Sequence, residues 1–208
     1  MNLLTYIHDP MCSWCYGFSR TLTELINKLP ESVQMRRLLG GLATDTDEPM
    51  SKEMERHVRS NWKLIERRIP GVSFNYDFWA RCQPRRSTYP ACRAVIAARA
   101  QGMQYDIEMT AAIQRAYYEQ ARNPSDSTTL IELASELGLD FDSFSTTLFS
   151  DNTEQELMSE IAATKQSGVT SYPSLILQAG TAVWDIPVNY NDSDAMLKLI
   201  TSLIERNH

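Results

Sequence analysis

The chain of 208 residues is long enough for one larger domain, or for a small domain that carries an insertion. Its 43% hydrophobic and 22% charged residues are typical of a soluble globular protein. The net charge of −6 and the pI near 5.1 argue against a nucleic-acid partner, which would require a basic face. No apolar run reaches the roughly 18 residues of a membrane span, and no signal peptide is apparent at the N-terminus. We therefore expect a cytoplasmic protein without a membrane partner.

The first 41 residues predict a β-α-β unit. Residues 3–8 form an apolar run typical of a buried strand, and a helix is predicted to begin at Cys12. Residues 33–39 predict a second strand, which ends at Gly40 and Gly41. A strand, a helix and a strand within about 40 residues are the start of an α/β sheet.

The pattern changes between residues 50 and 149, where apolar residues recur almost wholly at helical spacing. Five helices are predicted there, at about residues 54–69, 87–102, 107–121, 127–138 and 140–149. Helical spacing resumes at 154–168, and the short strands 174–178 and 181–184 then predict a hairpin. A last helix is predicted at 192–205.

This order of elements predicts an α/β fold with the core β-α-β … α-β-β-α and a large all-helical insertion. Residues 1–45 and 151–208 are assigned to the core, and residues 46–150 to the helical insertion subdomain. No linker, repeat or low-complexity segment appears in the sequence. One core interrupted by a helical subdomain is therefore the simplest architecture.

Two cysteines, Cys12 and Cys15, stand two residues apart at the start of the first predicted helix. Backbone N–H groups at a helix N-terminus lack intrahelical partners and carry partial positive charge, so they favour a thiolate there. Cys12 can attack a disulfide, and Cys15, one helical turn later, can resolve the mixed disulfide that forms. In a reducing compartment cysteines rarely form structural disulfide bonds. The pair therefore predicts a catalytic dithiol redox centre.

The Cys-x-x-Cys motif after the first strand, the order of elements and the helical insertion together resemble the DsbA family, which has the thioredoxin fold. Residues 9–17 and 87–91 are similar to its FrnE-like group of thiol–disulfide oxidoreductases. The resemblance implies a protein disulfide oxidoreductase or isomerase that acts on a protein or small-molecule disulfide. It implies no cofactor beyond the redox-active cysteines, with glutathione as a candidate co-substrate. The direction of electron flow, the regenerating partner and the oligomeric state stay open.

The resemblance also implies that the Tyr172–Pro173 bond is cis and faces the cysteine pair. The backbone of Tyr172 would then be free to pair with an extended substrate, so both residues are candidate substrate-binding residues. Trp14 is a third candidate, with half-buried packing as its alternative. Ser13, between the cysteines, and His8, at the end of the first strand, are candidates for tuning the pair. For His8 the alternative is an ordinary solvated or hydrogen-bonded histidine.

Three further residues have two interpretations each. For Asp9 we favour a turn with Pro10 over an effect on proton transfer to the buried thiol. Cys82 and Cys92 are either a second redox pair that relays a disulfide or two small apolar side chains. Four arginines surround these two cysteines, namely Arg81, Arg85, Arg86 and Arg93. They would either lower a thiol pKa and hold an acidic peptide such as glutathione, or form a solvated face.

Two alternative functions stay open. A glutathione-dependent isomerase or transferase, of the hydroxychromene-carboxylate isomerase or kappa type, would share the architecture. Those proteins typically carry a serine where Cys12 stands, which argues against this alternative. A non-enzymatic alternative is zinc bound by the four cysteines, but zinc-ribbon sites use two closely spaced pairs. Cys82 and Cys92 are separated by nine residues, so we predict no metal.

Overall fold

The computed structural model describes residues 2–207, and four strands of this part of the chain form one mixed sheet. The strands are β1 (Asn2–His8), β2 (Val33–Leu39), β3 (Ser174–Ala179) and β4 (Ala182–Ile186). Their order in the sheet is β2-β1-β3-β4, with β1 parallel to β2 and the other two pairs antiparallel. The predicted thioredoxin-like core is confirmed by this topology.

Helices α1 (Ser13–Ile26) and α9 (Ser193–Arg206) pack against each other and cover one face of the sheet. Phe18 and Leu25 of α1 are fully buried there because apolar residues recur along one side of the helix. Ile200 of α9 is also fully buried in this cluster. The first face of the core therefore holds α1, and with it the predicted cysteine pair, in place.

Seven helices follow between β2 and β3. They are α2 (Lys52–Arg68), α3 (Phe78–Arg81), α4 (Tyr89–Arg99), α5 (Gln104–Tyr118), α6 (Ser127–Glu136), α7 (Phe141–Leu148) and α8 (Asp151–Gln166). The helical insertion is confirmed, although α3 was not predicted because four residues are too few to show a helical period. The boundaries at residues 45 and 150 stay predictions. No helix within residues 2–207 is both long and apolar enough to cross a membrane.

The insertion and the second face of the sheet share one hydrophobic core. Helix α8 packs on β2, and α4 packs on α8, so the insertion continues from the core without a gap. Trp62 of α2 is fully buried and stacks on Phe74, with ring centroids 4.8 Å apart. Leu39 of β2 and Ile161 of α8 belong to the same cluster. The insertion is thus fixed relative to the end of the sheet where β1 and β2 terminate.

A buried charge network reinforces this junction. Arg37 of β2 donates to Asp106 of α5 at 2.5 Å, and Arg99 of α4 donates to the other carboxylate oxygen of Asp106 at 3.1 Å. Arg99 is also paired with Glu160 of α8, which accepts a hydrogen bond from the Leu39 amide at 2.6 Å. Buried charges are tolerated only when they are paired and hydrogen-bonded in this way.

Replacing Asp106 by alanine should therefore destabilise the protein strongly, because two mostly buried arginines lose a shared partner. We expect the free energy of unfolding to fall by about 3–5 kcal/mol, as measured by urea denaturation. Glu156→Ala is the matched control, since Glu156 pairs with the same Arg99 but is half exposed. That variant should lose no more than about 1 kcal/mol. Similar losses of unfolding free energy in both variants would show that the burial of an ion pair does not set its contribution to stability.

Candidate active site

Cys12 is the N-cap residue of α1, with extended backbone angles of φ −81° and ψ 117°. Its N–H donates to the carbonyl of Asp9 at 3.0 Å, and its carbonyl accepts from Tyr16 at 3.0 Å. The first turn of α1 contains no acidic side chain, so no carboxylate on that turn competes for the free amides. The partial positive charge of the helix N-terminus is therefore available to a thiolate.

The Cys12 thiol lies against the loop that precedes β3. Its Sγ is 3.6 Å from the carbonyl oxygen of Tyr172, although the two residues are 160 positions apart. The bond between Tyr172 and Pro173 is cis, which confirms the prediction. The Tyr172 hydroxyl donates to the carbonyl of Gly40 at 2.8 Å and so anchors this loop to the end of β2. The two predicted halves of the site are thus brought together.

Cys15 lies beneath Cys12 and is completely buried, whereas Cys12 retains 6% of its surface. Burial raises the pKa of the Cys15 thiol well above its usual range, and the neighbouring Cys12 adds to the shift. All four cysteines are free thiols, so the pair is a dithiol. Cys12 is therefore placed to contact a substrate, and Cys15 is placed to attack a mixed disulfide at Cys12 from the protein interior. Their catalytic roles stay predictions.

A groove of about 370 Å³ opens beside the Cys12 thiol, and we call it the Cys12 groove. Its lining combines both halves of the chain: Met11, Cys12, Ser13, Trp14, Leu42, His57, Val58, Asn61, Trp62, Arg86, Tyr117, Tyr118, Thr170, Ser171 and Tyr172. The predicted substrate-binding residues Trp14 and Tyr172 are among them, as is Ser13. A larger cavity of about 670 Å³ lies beside β2, but no cysteine lines it. The groove therefore gives access to Cys12.

Trp14 is half buried in this groove and packs on Tyr190, with ring centroids 5.2 Å apart. Both of its predicted roles are compatible with that position. His8 is different, because it is completely buried and stacks on Tyr6 at 4.8 Å. Neither ring nitrogen of His8 has a hydrogen-bond partner within residues 2–207, and burial lowers its pKa well below the usual range. His8 forms no hydrogen bond to Cys12, and its tuning role stays a prediction.

Cys82 and Cys92 have different surroundings. The half-buried Cys82 donates to the carbonyl of Ala121 at 3.1 Å, whereas the fully buried Cys92 donates to the carboxylate of Asp9 at 3.7 Å. No hydrogen bond joins the two thiols, and the second redox pair stays a prediction. Within residues 2–207 no three His, Cys, Asp or Glu residues are grouped to hold a metal ion. In the described residues the four cysteines are thus not gathered at one point, and the absence of a metal stays a prediction.

The arginines near these cysteines separate into two kinds. Arg85 is paired with Asp126, and Arg93 is paired with Asp45 and Glu154. Arg81 is exposed at the end of α3. Arg86 lines the Cys12 groove and forms no salt bridge with any carboxylate in residues 2–207. Arg86 is therefore the cation that an anionic substrate would meet.

Two contacts in the site were missed from the sequence. Asp9 accepts from the Met11 amide at 2.8 Å, as the favoured turn requires, but it also accepts from Thr88 of the insertion at 2.6 Å. The hydroxyl of Tyr118 donates to the carbonyl of Met11 at 2.6 Å. Asp9 is fully buried. For Asp9, an acidic residue directly after an apolar strand could have indicated a buried contact. The sequence around Thr88 and Tyr118 gives no such indication.

The fold and the site define a class of protein. A mixed β2-β1-β3-β4 sheet, a dithiol at a helix N-terminus, a facing cis-proline and a helical insertion are those of a DsbA-like, thioredoxin-fold oxidoreductase. A family model described as thioredoxin matches residues 5–196. The chain therefore belongs to the thioredoxin family, and its predicted DsbA-like character is confirmed. Its membership of the FrnE-like group stays a prediction.

Similar proteins include solved structures that match over almost the whole chain. A Nitrosomonas europaea protein, proposed to be a protein disulfide isomerase, is 25% identical, with a TM-score of 0.86 over 100% of this chain and 99% of its own. The cytosolic disulfide reductase DsbM from Pseudomonas aeruginosa is 22% identical, with a TM-score of 0.77 over 98% of this chain and 99% of its own. This second likeness shows the shared fold.

A curated relative is the ClpXP adapter protein SpxH from Bacillus subtilis. It is 24% identical over 169 residues, which are 80% of this chain and 55% of SpxH. The chain thus spans just over half the length of that relative.

Gly40 should tolerate no side chain, because it supports the ring of Tyr172. A Cβ atom at this position would overlap that ring, which the hydrogen bond to the Gly40 carbonyl holds in place. We expect Gly40→Ala to lower the free energy of unfolding by about 1–3 kcal/mol in urea denaturation. Gly102→Ala is the control, since its Cβ would meet only the flexible side chain of Gln104. Equal stability of the two variants would show that Tyr172 has room to move.

Proposed function

We propose that the chain is a thiol–disulfide oxidoreductase that exchanges disulfides with a protein or small-molecule substrate through Cys12 and Cys15. The observation that carries the proposal is the position of the Cys12 thiol. It lies at a helix N-terminus, at the floor of an open groove, 3.6 Å from the Tyr172 carbonyl and above the buried Cys15. Isomerisation of protein disulfides would use the same chemistry.

The proposed reaction has two exchange steps. The Cys12 thiolate attacks one sulfur of the substrate disulfide, a mixed disulfide forms, and the other substrate sulfur leaves as a thiolate that takes up a proton. Cys15 then loses its proton and attacks the Cys12 sulfur, which releases the second substrate thiol. Two electrons pass from the pair to the substrate, and the pair becomes a disulfide. The reverse sequence oxidises a dithiol substrate.

The pair requires no bound cofactor, because the two cysteines themselves store the two electrons. The Tyr172 carbonyl is proposed to accept a hydrogen bond from the substrate once the Cys12 thiol has reacted. Arg86 and the neighbouring His57 and Asn61 give the groove polar groups suited to a carboxylate. We therefore propose an acidic disulfide such as glutathione disulfide as a small-molecule substrate, and glutathione as the thiol that regenerates the pair when a different disulfide is reduced.

Two features of DsbM support these details. That protein has also been crystallised with GSH, and it is named a cytosolic disulfide reductase. The proposal includes the same cytoplasmic location for this chain.

Cys12→Ser should abolish reduction of a model disulfide, because the variant lacks the attacking thiol. Cys15→Ser should instead trap a mixed disulfide at Cys12, which mass spectrometry of the intact protein would detect. The matched control is Cys82→Ser, whose thiol faces the Ala121 carbonyl rather than the groove. We expect its rate within about twofold of wild type, which would also argue against a second redox pair.

Full reduction by the Cys12→Ser variant would overturn the proposal. Glutathione conjugation that survives loss of both Cys12 and Cys15 would favour the isomerase or transferase alternative instead.

Arg86→Ala should weaken the use of acidic disulfides selectively. A charge-assisted hydrogen bond contributes about 1.5–3 kcal/mol, so KM for glutathione disulfide should rise by about 10- to 100-fold. The rate with an uncharged disulfide, such as hydroxyethyl disulfide, should change little. Arg81→Ala is the control, because Arg81 is exposed and does not line the groove. Equal losses with both disulfides would assign Arg86 a structural role.

A further inference from the structure

Strand β2 lies at one edge of the sheet, with β1 as its neighbouring strand. The Gly40 amide, directly after β2, donates to the His8 carbonyl of β1 at 2.7 Å, whereas the Leu39 amide donates away from β1 to a side chain of α8. In a parallel ladder every second residue directs its N–H and C=O groups to the same side. The backbone groups of Met35 and Arg37 therefore point away from β1, as those of Leu39 do.

The ends of this outer edge are occupied, whereas its middle is open. The Val33 amide donates to a carbonyl of the preceding turn at 2.9 Å, and the Leu39 amide donates to Glu160 at 2.6 Å. Among the hydrogen bonds of residues 2–207, no loop or side chain accepts from the Met35 or Arg37 amide. An unpaired stretch of this kind is a template on which a further strand can pair.

The cavity of about 670 Å³ beside β2 runs along this open stretch, and we call it the β2 cleft. Met35 and Leu38 line it from the strand, and Met103 and Ile107 line it from the start of α5. Met103 is 72% exposed and Ile107 is 55% exposed. Because they are four residues apart on one helix, they form a continuous apolar patch, which is typical of a binding surface.

The Arg37 side chain shows which face of β2 this patch covers. It donates to Asp106 of α5 at 2.5 Å. Met103, Asp106 and Ile107 lie on one side of α5, since they are three and four residues apart. The apolar patch therefore lies on the face of β2 to which Met35 and Arg37 point.

Arg36 points to the opposite face of β2 and has no acidic partner. Its Nε and Nη2 donate to the Thr5 hydroxyl at 3.2 and 3.0 Å, and it forms no salt bridge within residues 2–207. The carboxylates that line the cleft are instead paired with Arg37 or Arg99, namely Asp106, Glu156 and Glu160. Arg36 is therefore the charge of the cleft that is left for a partner.

We propose that the β2 cleft binds an extended segment of a partner polypeptide, which adds to the sheet as a further strand beside β2. The segment pairs with the backbone of Met35 and Arg37. An acidic residue of the segment lies opposite Arg36, and the apolar residues on either side of it enter the cleft. The recognised pattern is thus apolar–acidic–apolar. No cysteine lines the cleft, so this activity is binding rather than disulfide exchange.

A second copy of this chain fits the cleft less well. Pairing of two β2 edges would gather Arg36 and Arg37 of both copies along one short ladder, where like charges are destabilising. The other edge strand, β4, carries Asp185 between two apolar residues. Pairing of β2 with β4 of another copy is head-to-tail, however, and would continue into a ring or a filament.

The first test uses amide hydrogen exchange, followed by NMR on the full chain. In the free protein, exchange should be fast at Met35 and Arg37 and slow at Arg36 and Leu38, which face β1. Saturation with the acetylated and amidated peptide Ser-Thr-Ile-Glu-Ile-Thr-Ser should protect the Met35 and Arg37 amides. Binding that leaves both amides unprotected would overturn the proposal, as would the lack of saturable binding up to about 1 mM peptide.

The second test reverses the charge of Arg36. By fluorescence anisotropy, the wild type should bind this peptide about fivefold more tightly than its counterpart Ser-Thr-Ile-Lys-Ile-Thr-Ser. Arg36→Glu should prefer the lysine peptide instead, and an unchanged order of preference would overturn the proposal. Ile107→Glu should weaken both peptides about tenfold, because it places a charge in the apolar patch.

Val183→Glu is the matched control for Ile107→Glu, because Val183 is 60% exposed but lies on β4. It should leave both affinities unchanged, and equal losses in the two variants would overturn the proposal. Sedimentation of the wild type without peptide should show a monomer. An assembly that Arg36→Glu dissociates would assign the β2 edge to a second copy and so overturn the proposal. Cys12→Ser should bind the peptides as the wild type does, so this proposal and the proposed function fail independently.

Discussion

The antiparallel pairing of β1 with β3 is the constraint on which the site depends. Ile7 near the end of β1 is in register with Ser174 at the start of β3, and His8 is in register with Leu39 at the end of the parallel β2. The segments that follow β1 and β2 and the segment that precedes β3 therefore lie at the same end of the strands. They carry Cys12, the cis-proline loop and Gly40 to one place, and a one-residue slip of β3 would turn its buried side chains to the opposite face.

The helical insertion supplies further contacts that hold the active-site loop. The two shortest hydrogen bonds that attach it to the active-site loop, each 2.6 Å, run from Thr88 to Asp9 and from Tyr118 to the carbonyl of Met11. Both lie in buried surroundings, where an unpaired partner would be costly. The charge network around Asp106 joins the insertion to β2 from the other side. The groove wall that holds Arg86 is thus fixed at both ends, although it belongs to a segment distant in sequence.

The sequence was sufficient to predict those features that depend on local patterns. Apolar spacing located every strand and every helix of eight residues or more, and the short Cys-x-x-Cys motif located the dithiol. The contacts of Asp9 with Thr88 and of Tyr118 with Met11 span 79 and 107 positions, so only the packed structure reveals them. The same limit applies to the arginines. The sequence alone does not distinguish the four arginines from one another. In the structure Arg85 and Arg93 form ion pairs with acidic residues, whereas Arg86 lines the groove.

The electrostatics of the site differ on its two sides. On the groove side, the amides of α1 and the Arg86 cation favour negative charge, which suits an anionic substrate and a departing thiolate. On the interior side, burial raises the pKa of the Cys15 thiol and so disfavours negative charge there. Negative charge that develops during exchange is therefore more stable on the outgoing substrate sulfur than on the interior sulfur.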